Sequence, residues 1–283
     1  MRKLFYFLAV LSVFASCEDV IEVDVPSDTP RLSVDGLVRI QDSSTVTNIQ
    51  IKVSVTSSFF EPSPPANLDQ ITITNLDADS SENIMVLIEE EEGSGVYEKL
   101  VDNRLLREGR LVLQINYQDE NYLARTEFVP TVPITKLEQG TQTLFSGDET
   151  ELVVAFDDAP DRDDFYIFDF DFDEFLVTED EFYKGQKFEF SYFYDSDIEA
   201  GQEIDISILG ADEGFYNYMN QLIVQAGGDQ GPFQTPAATV RGNIINVTNI
   251  DNDEVFDNVE QPDNFVLGYF AVVQEYKETI TIE

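Results

Sequence analysis

Histidine and tryptophan are absent from the 283 residues, and cysteine occurs once, at Cys17. Without imidazole the chain lacks the commonest general base and the usual transition-metal ligand. Serine–histidine triads, cysteine–histidine pairs and zinc sites with imidazole ligands are therefore excluded. With one cysteine, no disulfide can form within the chain. Basic residues are scarce: 16 Lys and Arg stand against 56 Asp and Glu, a formal charge of −40. Binding a phosphate backbone depends on clustered Lys and Arg, so neither nucleic acid nor an anionic lipid surface is an expected partner. The lack of Trp counts against a carbohydrate-stacking platform, although Tyr can substitute. No apolar run reaches the roughly 20 residues that a spanning helix needs.

What the chain has in quantity is aromatic carbon. Its 22 Phe and 12 Tyr are spread along the length, and 42% of the residues are hydrophobic. Such apolar area supports a packed core, which separates this acidic protein from a disordered acidic tail.

The start reads as an export signal. Arg2-Lys3 is followed by an apolar run from Leu4 to Phe14 broken only by Ser12, and small Ala15-Ser16 precede Cys17. Residues 1–16 are thus expected to be a signal peptide, with Cys17 lipidated and serving as the membrane anchor. Phe14-Ala15-Ser16-Cys17 resembles a lipobox, with Phe14 in place of the usual Leu. Removing residues 1–16 leaves 14 basic against 56 acidic residues, a charge of −42. Acidic Glu18 and Asp19 resemble a surface-export signal, which points to the outer face of an outer membrane. Residues 17–30, alternating acidic and apolar before Pro26 and Pro30, read as a tether.

From Arg31 onward the pattern is β. Leu32–Val38 and Asn48–Val55 alternate with period two, and Gln70–Asn75, Ile84–Ile88, Val96–Leu100, Arg110–Tyr117 and Asn121–Phe128 continue at sandwich-like spacing. Residues 31–130 are expected to form an immunoglobulin-like or prealbumin-like β-sandwich. Val129-Pro130-Thr131-Val132-Pro133 marks a boundary, because prolines so placed cannot donate to a central ladder. Residues 131–283 predict a second β domain, with strands at Glu151–Phe156, Asp164–Val177, Gln186–Tyr194, Gln202–Leu209, Val240–Thr248, Val266–Val273 and Thr279–Ile282. Strict alternation through Phe168-Asp169-Phe170-Asp171-Phe172-Asp173 predicts three aromatics on a core and three carboxylates opposite. One inserted helix is expected near 213–226: Phe215, Met219, Leu222, Ile223 and Ala226 keep helical spacing, Asp212 can cap the start and Gly227-Gly228 can end it. The fold class is all-β, as two β-sandwich domains of which the second carries this helix.

The C-terminal third adds a family likeness. Tyr216, Tyr218, Leu222 and Gln225, then Gly231-Pro232-Phe233, Pro236, Val240-Arg241-Gly242-Asn243-Ile244 and Leu267-Gly268-Tyr269-Phe270 resemble the domain-of-unknown-function family 4249 (DUF4249). So do Cys17-Glu18-Asp19-Val20-Ile21 and Leu32-Ser33-Val34-Asp35-Gly36. The resemblance implies an outer-membrane lipoprotein whose gene often accompanies a TonB-dependent receptor, and hence an accessory role at a nutrient-import pore. It carries no established catalytic residues. Gly242, Asn243, Gly268, Tyr269 and Phe270 also have a structural reading: close backbone approach at the glycines, a bond from Asn243 to a turn backbone, and core filling by the aromatic pair.

Two acidic clusters are candidate calcium sites, since hard cations collect several oxygen ligands. One is Asp157, Asp158, Asp161, Asp163 and Asp164; the other is Asp251, Asn252, Asp253, Glu254 and Asp257. Neither has the fixed glycine and closing glutamate of an EF-hand, and solvated loops account for them more simply. The run Glu89–Glu92 before Gly93-Ser94-Gly95 reads as an acidic hairpin tip. Paired carboxylates for glycoside cleavage cannot be singled out among so many. Gly227-Gly228-Asp229-Gln230-Gly231 lacks the Lys of a phosphate cradle. The function expected is a non-enzymatic, surface-displayed binding or accessory lipoprotein whose partner is a TonB-dependent outer-membrane receptor and whose small-molecule ligand is unknown. A calcium-dependent adhesin or structural envelope protein is the alternative, and no obligatory cofactor is implied.

Overall fold

The computed structural model describes residues 29–58, 61–79, 81–144, 147, 149–194, 198–227, 239–252, 258, 261 and 264–283. Cys17, Glu18 and Asp19, and also Asp253, Glu254 and Asp257, lie outside the described residues. The fold is mainly β. The first half runs β1 (Leu32–Ile40), β2 (Val46–Val55), β3 (Gln70–Asn75), β4 (Ile84–Val86), β5 (Ile88–Glu89), β6 (Val96–Asp102), a one-turn helix α1 (Arg104–Arg107), β7 (Arg110–Tyr117) and β8 (Glu120–Val129). It continues as β9 (Ile134–Gln139), β10 (Thr150–Asp157), β11 (Phe165–Asp169), β12 (Phe175–Glu179), β13 (Lys187–Tyr194), β14 (Glu203–Ala211), helix α2 (Glu213–Ala226), β15 (Ile245–Asn246) and β16 (Leu267–Thr281). Among the described residues no helix is long and apolar enough to cross a membrane.

Period-two alternation builds the first core. Leu32, Val34, Val38 and Ile40 of β1, Ile49, Ile51 and Val53 of β2, and Leu111, Leu113 and Ile115 of β7 all face inward and are buried. Each such side chain taken out of water contributes roughly 2 kcal/mol. The sheet order is β4-β3-β7-β8-β16-β1-β2-β6-β5. Consecutive β4 and β5 therefore stand at opposite ends of that order, where the chain passes from β3 to β6 and closes the side of the sandwich.

The second core is aromatic. The three-stranded sheet β13-β10-β9 faces β11, β14 and the end of β16, burying Phe156, Tyr166, Phe168, Phe170 and Tyr194 with Ile204, Ile206 and Ile208 between them. Phe170 stacks on Tyr192 at 3.8 Å and 7°. Phe156 meets Tyr166 edge to face at 5.0 Å.

One strand joins the two halves. The 15-residue β16 runs parallel to β1 from Leu267 to Gln274, touches β8 in parallel at Val272 and Val273, then turns to antiparallel pairing with β14 from Glu275 to Thr281. Where Val266–Val273 and Thr279–Ile282 had been expected as two strands, β16 is continuous. Its side chains serve three layers: Phe270 and Val272 the first core, Ala271 and Val273 the layer under α2, Tyr276 and Ile280 the aromatic core. Pro130 to Pro133 form the connection between β8 and β9, and β16 brings the C-terminal half back into the N-terminal sheet.

Other details differ from the sequence pattern. Asp164–Val177 is a hairpin, not one strand: Asp171, Phe172 and Asp173 have φ of 63°, 51° and 61°, and Asp169 pairs with Phe175. Asp tolerates left-handed backbone, so alternation through Asp-Phe-Asp fits a turn as well as a strand. Only Phe168 and Phe170 reach the core; Phe172 is 47% exposed. Of Val240–Thr248 only Ile245–Asn246 pairs as a strand, against β8. Strand β9 and helix α1 had no signal strong enough to be expected.

Candidate functional site

Helix α2 rests on the outer face of the β11–β14–β16 sheet. Asp212 caps it, accepting from the Phe215 N–H at 2.7 Å, and the helix ends at Gly227. The apolar stripe expected from the spacing is only partly a packing face: Phe215 alone is buried, while Met219, Leu222 and Ile223 are half-buried. Phe215 anchors the first turn over Ile167, Leu209, Ala271 and Val273. Beyond it the helix stands off the sheet and leaves a cleft of about 590 Å³ against β1 and the start of β16.

Aromatic rings and two charged side chains, Asp35 and Arg39, line this cleft. Tyr269 forms its floor, with ring centroids 5.0 Å from both Phe215 and Tyr218. Phe175 and Met219 close one wall; Asp35 and Arg39, on the outward face of β1, form the other. A second groove of about 530 Å³ lies on the opposite flank of α2 and shares Phe175, Met219 and Leu222 with the first. Burial raises the Tyr218 phenol, and the charge of Asp35 adds to the shift. The Tyr269 phenol is also pushed up, by burial and then by the charge and hydrogen bond of Asp212. Both phenols therefore stay protonated through neutral pH, the Tyr269 hydroxyl engaged by Asp212. Arg39 is held in place at 2.7 Å from Asp169 and 3.2 Å from Glu275. Glu275 in turn accepts from Gln41 and Ser207, each at 2.8 Å. Burial works against its ionisation, but these donors and the Arg39 charge prevail and hold the carboxyl below the usual range.

The residues Gly242, Asn243, Gly268, Tyr269 and Phe270 come together along the start of β16. Gly268 has φ +99°, and a Cβ there would stand 1.8 Å from the Val34 carbonyl oxygen. A Cβ on Gly242 would stand 1.6 Å from the Gly268 carbonyl oxygen. Both positions therefore need glycine so that backbones can touch. Asn243 works as a substitute strand: its Nδ2 donates to the Phe270 carbonyl at 2.8 Å and to the Arg125 carbonyl at 3.2 Å, and its Oδ1 accepts from the Phe270 N–H at 2.9 Å. This bridges the point where β8 and β16 diverge. Of the five, Gly268 and Tyr269 line the cleft, and Phe270 fills the first core.

The first acidic cluster is a polar network. Asp158 and Asp164 are buried and both accept from the Tyr166 hydroxyl; Asp158 also accepts from the Gly185 N–H at 2.6 Å, and Asp164 from Arg162 Nε at 2.7 Å. Asp163 pairs with Lys184, and Asp157 and Asp161 are exposed. In the second cluster, the Asp251 N–H donates to Asn258 at 3.1 Å. Among the described residues, no group of three or more Asp, Glu or Cys side chains is arranged to hold a metal ion.

Sequence reasoning quoted Asp35 only within the Leu32–Gly36 family motif and did not single out Arg39 or Phe175, because the cleft draws on β1, β12, α2 and β16, which are far apart in the chain. Two signals for it exist: a helix whose stripe carries Phe215, Tyr218 and Met219 together, and a β1 outer face with Asp35, Leu37 and Arg39 in alternation. A family model described as a domain of unknown function (DUF4249) matches residues 18–279. A search of curated proteins finds no match.

Proposed function

The chain belongs to the DUF4249 family, and from that premise we propose that it is a lipid-anchored outer-membrane protein, displayed at the cell surface, that binds a ligand without transforming it and assists a TonB-dependent receptor. The observation that carries the binding role is the cleft beside α2. Concave, mainly apolar sites with a few fixed polar groups are the usual form of a ligand site. Here Tyr218 and Tyr269 offer ring faces, the Tyr218 phenol offers a donor, Asp35 offers a charge, and the Arg39–Glu275 pair fixes the wall. Anchoring is supported by the apolar run ending at Ala15-Ser16-Cys17, and display by Glu18-Asp19. A single acyl chain gives marginal membrane binding, so the proposed anchor requires the multiple acylation that an N-terminal cysteine accepts.

The test is affinity purification of the tagged full-length chain from detergent-solubilised outer membranes, with Cys17→Ser in parallel. The proposal expects a TonB-dependent receptor to co-purify at near-stoichiometric amounts and the variant to leave the membrane fraction. Recovery of the wild-type chain from membranes without a receptor would refute the accessory role. Unchanged fractionation of Cys17→Ser would refute the anchor.

A further inference from the structure

The second groove beside α2, of about 530 Å³, differs in chemistry from the first cleft. It lies at the side of the C-terminal sandwich where both sheets end. Among the described residues β12 pairs only with β11 and β13 only with β10, and the groove runs between these two strands beside the second half of α2. Three rings line it, Phe175 of β12 and Tyr192 and Phe193 of β13, and Met219, Leu222 and Ile223 of α2 complete the apolar wall. Tyr192 is fixed in place: its ring stacks on Phe170 at 3.8 Å, and its hydroxyl donates to the Glu174 carboxylate.

Charge at this groove is of one sign. Asp173 and Glu174 line it, the first exposed and the second half-buried, and among the described residues no Lys or Arg does. Composition is the cause: residues 163–240, which supply β11 to β14 and all of α2, hold 18 Asp and Glu and only two basic residues, Lys184 and Lys187. Both of these stand at the start of β13, the end away from Tyr192 and Phe193, and they pair with Asp163 and Glu189. Arg39 belongs to the first cleft and is engaged by Asp169 and Glu275. The carboxylates act as charges: burial raises the Tyr194 phenol, and Glu174, Asp171 and Asp169 push it further up.

We propose that this groove binds a small alkylammonium ion, with its hydrocarbon chain between Leu222, Ile223 and Phe193 and its cationic head against Asp173 and Glu174. Carboxylates attract an ammonium head, and the faces of Tyr and Phe rings add to the attraction, more so where water is displaced. The Tyr192 hydroxyl engages one oxygen of Glu174, and an ionised carboxylate keeps further acceptor positions. The volume suits a small molecule, for which sites of roughly 300–1,000 Å³ are usual. Charge decides the occupant: an anion is repelled, and a second copy of the chain would set the same carboxylates against themselves. The site is independent of the ligand of the first cleft and of how the chain is anchored.

Methyl NMR on the full-length chain tests this with probes that share one hydrocarbon chain: hexyltrimethylammonium, 1-hexanol and hexanoate. The ammonium probe should shift the methyls of Ile223 and Ala226, which line this groove and not the first cleft. It should bind at least about tenfold more tightly than hexanol, and hexanoate should bind more weakly still. Asp173→Asn/Glu174→Gln should cost the ammonium probe at least about fivefold in affinity. Asn tolerates the left-handed backbone at position 173 and Gln keeps an acceptor for Tyr192, so an unchanged melting temperature certifies the fold. Salt that shortens the Debye length to about 3 Å should narrow the preference over hexanol in the wild-type chain, a check that needs no variant. Asp35→Asn, which removes the carboxylate of the first cleft, should leave the affinity within about twofold. Any of these results would overturn the proposal: no binding of the ammonium probe, hexanol or hexanoate bound as tightly, a preference indifferent to salt, equal binding by the folded double variant, an equal loss in Asp35→Asn, or Ile223 and Ala226 methyls that respond to protein concentration instead of the probe.

Discussion

Replacing Asn243 by alanine removes three hydrogen bonds that tie the divergence of β8 and β16. Two of them serve the backbone N–H and C=O of Phe270, a residue with no exposed surface. A typical net hydrogen bond contributes about 1 kcal/mol, and a buried group left without a partner costs about 1–3 kcal/mol. The third bond, to Arg125, is solvent-exposed and adds little. The expected loss is about 2–4 kcal/mol. Urea unfolding followed by tyrosine fluorescence, which no tryptophan obscures, should show a midpoint lowered by about 1 M, given a slope of about 3 kcal/mol per molar at the upper end for urea. Asn243→Asp sharpens the test. It keeps an acceptor for the Phe270 N–H but sets a carboxylate oxygen against two carbonyls, so it should be at least as damaging at pH 7 and partly recover when protonation restores a donor. A loss below about 0.5 kcal/mol for the alanine variant, within the range of ordinary surface changes, would refute the substitute-strand role. So would an aspartate variant with no pH dependence.

The other expectations concern the wall of the cleft, the glycines and the acidic loop. Arg39→Met should destabilise the fold by about 2–3 kcal/mol at pH 7, because it leaves the buried Glu275 carboxylate without its cation; the Glu275 carboxyl is depressed in the folded state, so its contribution is full above the unfolded value of about 4.3 and fades as pH falls through the lower folded value. Unfolding curves at neutral pH and at pH about 4 should therefore show the Arg39→Met deficit shrinking in acid, and a constant deficit would disprove the linkage. Gly268→Ala should cost at least about 3 kcal/mol, from strained backbone and overlap with Val34, whereas Gly93→Ala, at a similar φ of +81° but in open space, should cost only about 1 kcal/mol; equal melting temperatures would contradict the close-approach reading. Because Asp158 and Asp164 are satisfied by Tyr166, Gly185 and Arg162, calcium at millimolar concentration should raise the melting temperature of the chelator-treated chain by less than about 1 °C. A site occupied at about 100 times its dissociation constant would add about 2.7 kcal/mol and several degrees.

How far the sequence carried the reading depended on whether the signal was local. Strands such as Gln70–Asn75 and Arg110–Tyr117, and the helix Glu213–Ala226 with its Asp212 cap, were legible to the residue, because period and capping act within a few positions. The turn at Asp171–Asp173 was not, since alternation of Phe and Asp is satisfied equally by a strand and by a left-handed reversal. The acidic run Asp157–Asp164 was legible as a concentration of carboxylates but not as a network. Its donors are a hydroxyl on the next strand, a guanidinium within the run and a backbone N–H at Gly185, and only the first two lie nearby in sequence.

The cleft was hidden for a deeper reason, which lies in β16. A strand that pairs with β1 at one end and β14 at the other can be recognised in sequence only as a long alternation with interruptions, and its three sets of neighbours leave no periodic mark of their own. Yet the cleft exists because of that sharing. The Leu267–Val273 stretch lays Tyr269 beside Asp35 of β1, while the same stretch, continuing into the sheet of β11 and β14, presents Ala271 and Val273 as the floor on which Phe215 of α2 lands. If β16 ended at Gln274, α2 and β1 would belong to separate sheets and no wall would face Tyr218. Close approach at Gly242 and Gly268 lets the strand pass, and Asn243 holds it where β8 falls away. The family motif thus serves the site by fixing the strand under it. Substitutions at Gly268 or Asn243 should alter cleft binding only together with stability, whereas Tyr218→Ala, at a half-buried ring, should alter binding with a loss of stability below about 1 kcal/mol.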